Sequence, residues 1–373
     1  MLRFYKMKGN LMSVRAIGVD PGTVSFDLCG LQGEQVFLDT SIPTDRLAAE
    51  PRLLVDLLQS HAPVDMIVGP SGYGLPWVRA QDLSERDIEL AVLSERRDRG
   101  RTAVIGGMRE MLRLLKESGL PIHFAPAVIH LPTVPEHRKV NRIDMGTADK
   151  LCSVALGIYD QARRLGIAYE ETSFIYLELG GAFTAVIAVE GGQVVDGLGG
   201  TAGSLGYRAL GAMDGELAYL LGDFHKEVLC SGGVASIAGQ PDLSPQELAA
   251  RDDERSRMAW DAFMEGLVKS VAVEMAIVPA PREILLAGRL CRIPEIHQEV
   301  VRRLARFAPV RRVEGFAQVA KEAAQGAALI ADGLAGGVHK ALVEIMRLRE
   351  ARGTVLDHLY VAGAETLRRR WLI

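Results

Sequence analysis

The sequence predicts an α/β protein of two duplicated halves that face each other across a cleft. A chain of 373 residues is too long for one ordinary hydrophobic core and fits two. A strand meander that opens near Val14 starts again near Phe174, each time running into an acid and a glycine turn. The two meanders superpose without a gap: residues 17–37 fall on 175–195 at a constant displacement, 175 − 17 = 158. Five of those 21 positions are identical, among them Gly22 with Gly180 and Gly33 with Gly191, and acidic Asp20 falls on acidic Glu178. Matches fall on the glycine turns and on the acid, so they read as an internal duplication, the alternative being that any two glycine-punctuated meanders look alike.

Taken in order, the apolar runs 14–19, 26–31 and 35–38 predict three short strands broken by glycine-containing turns. Residues 52–59 read as a helix and 65–68 as a fourth strand, whereas the Gly- and Pro-rich stretch 69–76 cannot be regular structure. Met108, Met111, Leu112 and Leu115 share one helical face, and 122–124 is a fifth strand. Residues 149–165 form a helix whose stripe is Leu151, Val154, Ala155 and Ile158. The pattern then restarts with strands at 174–179, 185–189 and 193–196. A helix carrying Trp260, Phe263, Met264, Leu267 and Val271 follows, then a strand at 283–287. A helix of small residues runs from 316 to about 334, and the tail adds a helix near 339–349 and an apolar stretch at 356–361. The expected organisation is an N-terminal domain 13–148, a C-terminal domain 149–335, and a tail 336–373 whose helix and short strand pack back on the first domain.

Composition excludes several classes. A formal net charge of −4, with no dense basic run carrying interleaved aromatics, argues against a nucleic-acid protein. No apolar run reaches the length of a membrane span, and the basic start before Met12 lacks the apolar core of a signal peptide. Four cysteines without a Cys-x-x-Cys pair read as reduced thiols of a cytoplasmic protein. No close histidine cluster speaks for zinc.

Chemistry is carried by the turns. In Asp20-Pro21-Gly22-Thr23 a carboxylate ends a strand, Gly22 lets backbone N–H groups approach a phosphate, and Thr23 adds a hydroxyl. Asp20 would hold hydrated Mg²⁺, which prefers carboxylate and water oxygens. The stretch Glu178-Leu179-Gly180-Gly181-Ala182-Phe183-Thr184 repeats the device: acid, two glycines, hydroxyl. The strand 283–287 runs into Gly288, where backbone can lie against an adenine or ribose, with Arg289 beside it. Small residues around Gly326 let two helices cross closely.

In this order the motifs resemble those of the actin-like ATPase superfamily: acetate and sugar kinases, heat-shock chaperones and actin. Asp20-x-Gly22-Thr23 resembles its first phosphate motif, Glu178 to Thr184 its second, and Leu286-Ala287-Gly288 its adenosine motif. Residues 149–158 and 323–331 resemble its two connecting helices, so the likeness spans roughly 14–335. It implies duplicated ribonuclease-H-like domains with ATP and Mg²⁺ in the interdomain cleft. The second hairpin looks most like that of butyrate- and acetate-type kinases and of butyrate-kinase-like proteins. One departure is Glu178, where those acyl kinases commonly carry a His.

The implied activity is an ATP-dependent phosphotransferase acting on a carboxyl or hydroxyl acceptor. The alternative is an ATP-hydrolysing switch that activates a partner protein. The nucleotide contacts expected are Asp20, Gly22, Thr23, Gly180, Gly181, Thr184, Gly288 and Arg289, with Asp20 and Glu178 on the metal. The charged stretch 138–150 supplies Asp144 and Asp149 as general base or metal orienter. Thr147 as N-cap and Asp149 as a favourable first-turn acid are an equal reading of the same residues. Ser71, Tyr73, Arg138, Asn141 and Arg142 are expected to line the acceptor pocket. The expected partner is a small-molecule acceptor, with no nucleic acid or membrane, and a homodimer stays open. A loosened dinucleotide fingerprint, Gly197 to Ala202, follows the third strand of a meander rather than the first strand of a βαβ unit, so it predicts no dehydrogenase.

Overall fold

Alternating and apolar runs become strands wherever a glycine turn lets the chain fold back. The computed structural model describes residues 13–22, 24–69, 72–95, 98 and 103–371. In the first half, β1 (Arg15–Pro21), β2 (Ser25–Gln32) and β3 (Gln35–Pro43) form the meander. Parallel to β1 lies β4 (Met66–Gly69), followed by β6 (Ile122–Phe124) and the short edge strand β5 (Val78–Arg79). The second half repeats this with β7 (Ser173–Leu179), β8 (Thr184–Glu190), β9 (Gln193–Leu198), β10 (Glu283–Ala287) and β11 (Val310–Arg312). The sheet orders are β3-β2-β1-β4-β6-β5 and β11-β10-β7-β8-β9, so each half is a meander continued by parallel strands on the side of its first strand, with β5 antiparallel at the edge of the first.

The displacement of 158 seen in the sequence recurs in the backbone. β7 begins and ends at β1's limits moved by it. The register shift between Gly30 and Leu31 in the β2–β3 pair reappears between Ala188 and Val189 in the β8–β9 pair. A bulge at the same place in both halves is an inherited kink, not a chance one. Gly33 and Gly191 take φ of 61° and 60° at the equivalent hairpin turn, a conformation that favours glycine.

Two helices cross between the sheets. The first, Ala148–Leu165, agrees with the sequence reading to one residue. The second is Glu322–Leu334, shorter than expected at its start, and all of its residues are buried. Residues 316–320 are held out of the helix by side chains: the Asp39 carboxylate accepts the amides of Gln318, Val319 and Ala320 at 2.7–3.2 Å. Gln325 Oε1 accepts those of Phe316 and Ala317. These three amide bonds hold the Asp39 carboxyl below the usual carboxylate range despite the opposing pull of burial. Asp39→Ala should therefore cost about 1 kcal/mol, the net worth of hydrogen bonds at a mostly exposed site, read as a lower urea midpoint at unchanged slope.

Tight backbone approach sets the crossing. A β-carbon on Gly18 would lie 2.2 Å from Ala324 O and Ala328 N, so the second helix rests directly on β1. On Gly326 it would lie 1.7 Å from Cys152 O of the first helix. The tail returns to the first half: Asn141 N donates to His358 O, Arg352 N to His130 O, and Arg370 pairs with Glu95. Residues 356–361 form no strand; the tail ends instead in the helix Ala364–Trp371. No described helix is long and apolar enough to cross a membrane.

Candidate functional site

The turns that follow β1 and β7 open onto one cleft of about 450 Å³ lined by both halves. Gly22 N donates to Ser25 O and Gly180 N to Phe183 O, each at 3.0 Å and again 158 positions apart. A β-carbon on Gly22 or Gly180 would press to 2.6 or 2.7 Å of the same carbonyls, so both turns present bare backbone. The strand-end glycine of β10, Gly288, has φ 87° and lines the cleft with Arg289, whose stem covers Gly181.

Both crossing helices begin at this cleft. Thr147, Ala148 and Asp149 of one line it, as do Lys321, Glu322 and Ala323 of the other. Neither N-cap residue, Thr147 or Lys321, places its side chain on the first-turn amides. Two positive helix ends without a capping side chain, beside two glycine turns, form an arrangement suited to a polyanion such as a polyphosphate.

The acids are sharply differentiated. Lys150 ties the start of the first crossing helix to the end of β7, its ammonium 2.6 Å from Asp149 and 2.8 Å from Glu178. Burial alone would push Asp149 up, but Lys150 and the Thr147 hydroxyl at 2.5 Å pull it below the usual range. Glu178 stays raised because burial and the nearby Asp149 outweigh the lysine. Asp20, which lines the cleft and pairs in register with Asp27, is pushed up to about 8 by burial and then by Asp149. Asp27 is instead neutralised by Lys321, which also donates to Ser25 Oγ at 2.7 Å.

Mg²⁺, implied by the resemblance, fits Asp20: a cleft-lining carboxyl whose hold on its proton is raised by burial and by a neighbouring carboxylate is short of positive charge. Glu178 fits less well, since its charge is already met by Lys150. Among the described residues no three His, Cys, Asp or Glu side chains converge as a metal cage, so an ion here would rely on water and phosphate oxygens.

Asp144 lines the cleft and holds its own loop together. Its carboxylate accepts Gly146 N at 3.1 Å and the Thr201 amide and hydroxyl at 3.0 and 3.1 Å, and its carbonyl accepts Gly199 N. It fastens the Gly-rich loop after β9 to the entrance of the first crossing helix. The loosened dinucleotide fingerprint is thus a wall of this cleft, with Gly200 and Thr201 facing in.

The expected site residues Asp20, Gly22, Tyr73, Asp144, Asp149, Glu178, Gly180, Gly181, Gly288 and Arg289 come together. Others do not. Thr184 is buried in β8 and donates to Ser204 O at 3.0 Å, because the pleat turns its hydroxyl away from the cleft. Arg138 donates to Val195 O and approaches Asp196, outside the cleft. Asn141 is exposed and accepts Tyr360 N, tying down the tail, and Arg142 is exposed beside it. Thr23 and Ser71 lie outside the described residues. Lys150, Thr201, Lys226 and Lys321 line the cleft without having been singled out. Lys150 had a signal in the sequence, its place in the first turn of a helix that starts at a charged stretch, and Thr201 had one in the loosened fingerprint Gly197 to Ala202.

A family model described as Protein of unknown function (DUF1464) matches residues 18–361. No curated protein sequence matches the chain. Among solved structures, the fold is similar to a propionate kinase from Francisella tularensis subsp. tularensis SCHU S4. The identity is 14%, the TM-score 0.57, and 84% of this chain and 98% of that one are covered. It is also similar to the acetate kinase from Entamoeba histolytica, at 11% identity and TM-score 0.54, covering 78% and 86% of the two chains. For the Porphyromonas gingivalis acetate kinase the values are 16%, 0.53, 79% and 88%. The chain therefore has the actin-like ATPase fold of duplicated ribonuclease-H-like domains.

Proposed function

The chain belongs to the DUF1464 family, and we propose that in this member the cleft binds Mg·ATP and transfers its terminal phosphoryl group to a short carboxylic acid. The observation that carries the nucleotide reading is the convergence of two uncapped helix ends and two glycine turns on one cleft. Gly22, Gly180 and Gly181 would face the phosphates, with Lys321 flanking the first turn, and Gly288 and Arg289 the adenosine. Asp20 would carry the metal, which supplies charge neutralisation of the transferring group. Residues 13–148 and 149–335 would be the two domains that close on it, with the tail bound to the first.

The acceptor class follows from the acids. A hydroxyl acceptor must lose a proton during transfer, and a general base must be free to take it. Asp144 already accepts three hydrogen bonds that fix its loop, and Asp149 and Glu178 are held by Lys150. A carboxylate acceptor needs no base: one of its oxygens forms the new bond to phosphorus, the bond from phosphorus to the bridging oxygen breaks, and ADP leaves with the electron pair. The fold's likeness to acetate and propionate kinases supports the same choice without deciding it.

Calorimetry with Mg·ADP should show one binding site per chain, and no binding would remove the proposal. ATP with acetate, propionate or butyrate, trapped with hydroxylamine, should yield hydroxamate and ADP in equal amounts. ADP release that ignores all three acids and rises only with a protein partner would establish the ATP-driven switch instead.

A further inference from the structure

On the wall of the cleft that holds Tyr73 and Val92, a strap of chain from the second half lies across the first. His225 Nδ1 lies 3.0 Å from Asp98 Oδ1, which also accepts Lys226 N at 3.3 Å. The Lys226 ammonium donates to Val92 O at 2.9 Å and Leu93 O at 2.8 Å, at the C-terminus of the helix Glu85–Val92. It sits 4.4 Å above the Tyr73 ring. Capping a helix end is one sufficient reason for a lysine at this place. It does not account for the charge. Carbonyls and a ring face carry partial charges only, and among the described residues no carboxylate forms an ion pair with Lys226. The cation lines the cleft all the same.

The surroundings narrow what could complete it. Ala91, Val92, Met108 and Ala125 give the cleft lining an apolar share, and Glu227 and Cys230 belong to the same lining. Two of the ammonium's three hydrogens already serve Val92 and Leu93. What remains suits one oxygen of a monoanion with a short apolar body, not the several charged oxygens of a phosphate. We propose that Lys226 is the specificity-determining residue for the acceptor, reading its carboxylate, and that its position on the strap couples acceptor binding to closure of the two halves. This rests on the phosphotransferase reading above. It adds that the acceptor ties the second half to the first, so acceptor and nucleotide should each strengthen the other's binding.

A titration accompanies the geometry. Lys226 is lowered to about 8 by burial and by Arg109, against the opposing pull of Cys230, Asp98 and Asp144. Other groups near it are Tyr73, pushed up by burial, His225, paired with Asp98, and Glu227, which lines the same cleft. Carboxylate binding should therefore weaken as pH rises through about 8, where the ammonium loses its charge.

The test is calorimetric titration of acetate, propionate and butyrate, with inorganic phosphate as a control, into the full chain with and without Mg·ADP. Wild type, Lys226→Met and Lys226→Arg are compared between pH 6.5 and 9.5. Lys226→Met should lose at least about 30-fold in affinity for the best carboxylate, the loss expected on removing one member of a desolvated charge pair. Its Mg·ADP affinity in the absence of acid should stay within about twofold. Lys226→Arg should bind carboxylate with no weakening up to pH 9, a readout that a helix cap would not move. The inference is overturned if Lys226→Met binds the acid as wild type does. It is equally overturned if Lys226→Arg keeps the wild-type pH limb, which decides the matter even where Lys226→Met fails to fold. Tighter wild-type binding of phosphate than of any carboxylate, or no carboxylate binding by a protein that binds Mg·ADP, also overturns it. Absence of Mg·ADP binding would instead sink the phosphotransferase reading itself.

Discussion

Asp20→Asn is expected to lower phosphoryl transfer by about 10³-fold, because losing metal-borne charge neutralisation worth several kcal/mol corresponds to a factor of that order. The same substitution should stabilise the protein when nucleotide and metal are absent. The Asp20 carboxyl titrates at about 8 in the fold against 3.8 in the unfolded chain. A group raised in this way contributes stability that is complete below about pH 4 and lost as pH climbs through about 8. Asn never ionises and escapes that loss. Thermal melting without ligands should therefore put the variant above wild type at pH 8 and level with it at pH 4, while Mg·ADP should reverse the order at pH 8. Wild-type turnover in Asp20→Asn would reduce this acid to a structural role, and equal melting at pH 8 would remove its electrostatic strain.

Gly326→Ala should cost about 3 kcal/mol or more, at the upper end for overpacking, since its new methyl would meet the Cys152 carbonyl at 1.7 Å. Backbone cannot rotate away as a side chain can, so the two crossing helices must separate along their whole contact. From the sequence alone, the small-residue helix predicts only a hinge, at which a bulky substitution would impair closure more than folding. The structure shows a closer approach than that, on a helix that also rests on β1 at Gly18. Chemical unfolding of Gly326→Ala and of a control, Gly107→Ala, separates the effects. Gly107 lies in the helix Ala103–Glu117 with nothing within 4 Å of its added carbon. Alanine there should stabilise by about 1 kcal/mol through helix propensity. A Gly326→Ala protein as stable as wild type would mean that the helices do not meet at this point.

The sequence by itself determined the duplication, the two meanders, both crossing helices and the acid-glycine turns. Each of these depends on neighbours a few residues apart: strand alternation, helical spacing, and the need for glycine where backbone must approach backbone. The duplication is faint in side chains for a physical reason visible at one position. Gly18 must admit the second crossing helix, whereas its counterpart 158 residues on is Tyr176, wholly buried. Which charges meet was decided only by the tertiary structure. Thr184 occupies the hydroxyl position of the second turn, yet the pleat of β8 sends it into the core. The dense charge of 138–142 faces β9 and the tail instead of the cleft. Lys150 finds Glu178 at the end of a separate strand, and Lys226 reaches the carbonyls of residues more than 130 positions away. Charged side chains obey no short period along the chain, because their free energy depends on burial and on partners that folding alone brings within a few ångströms.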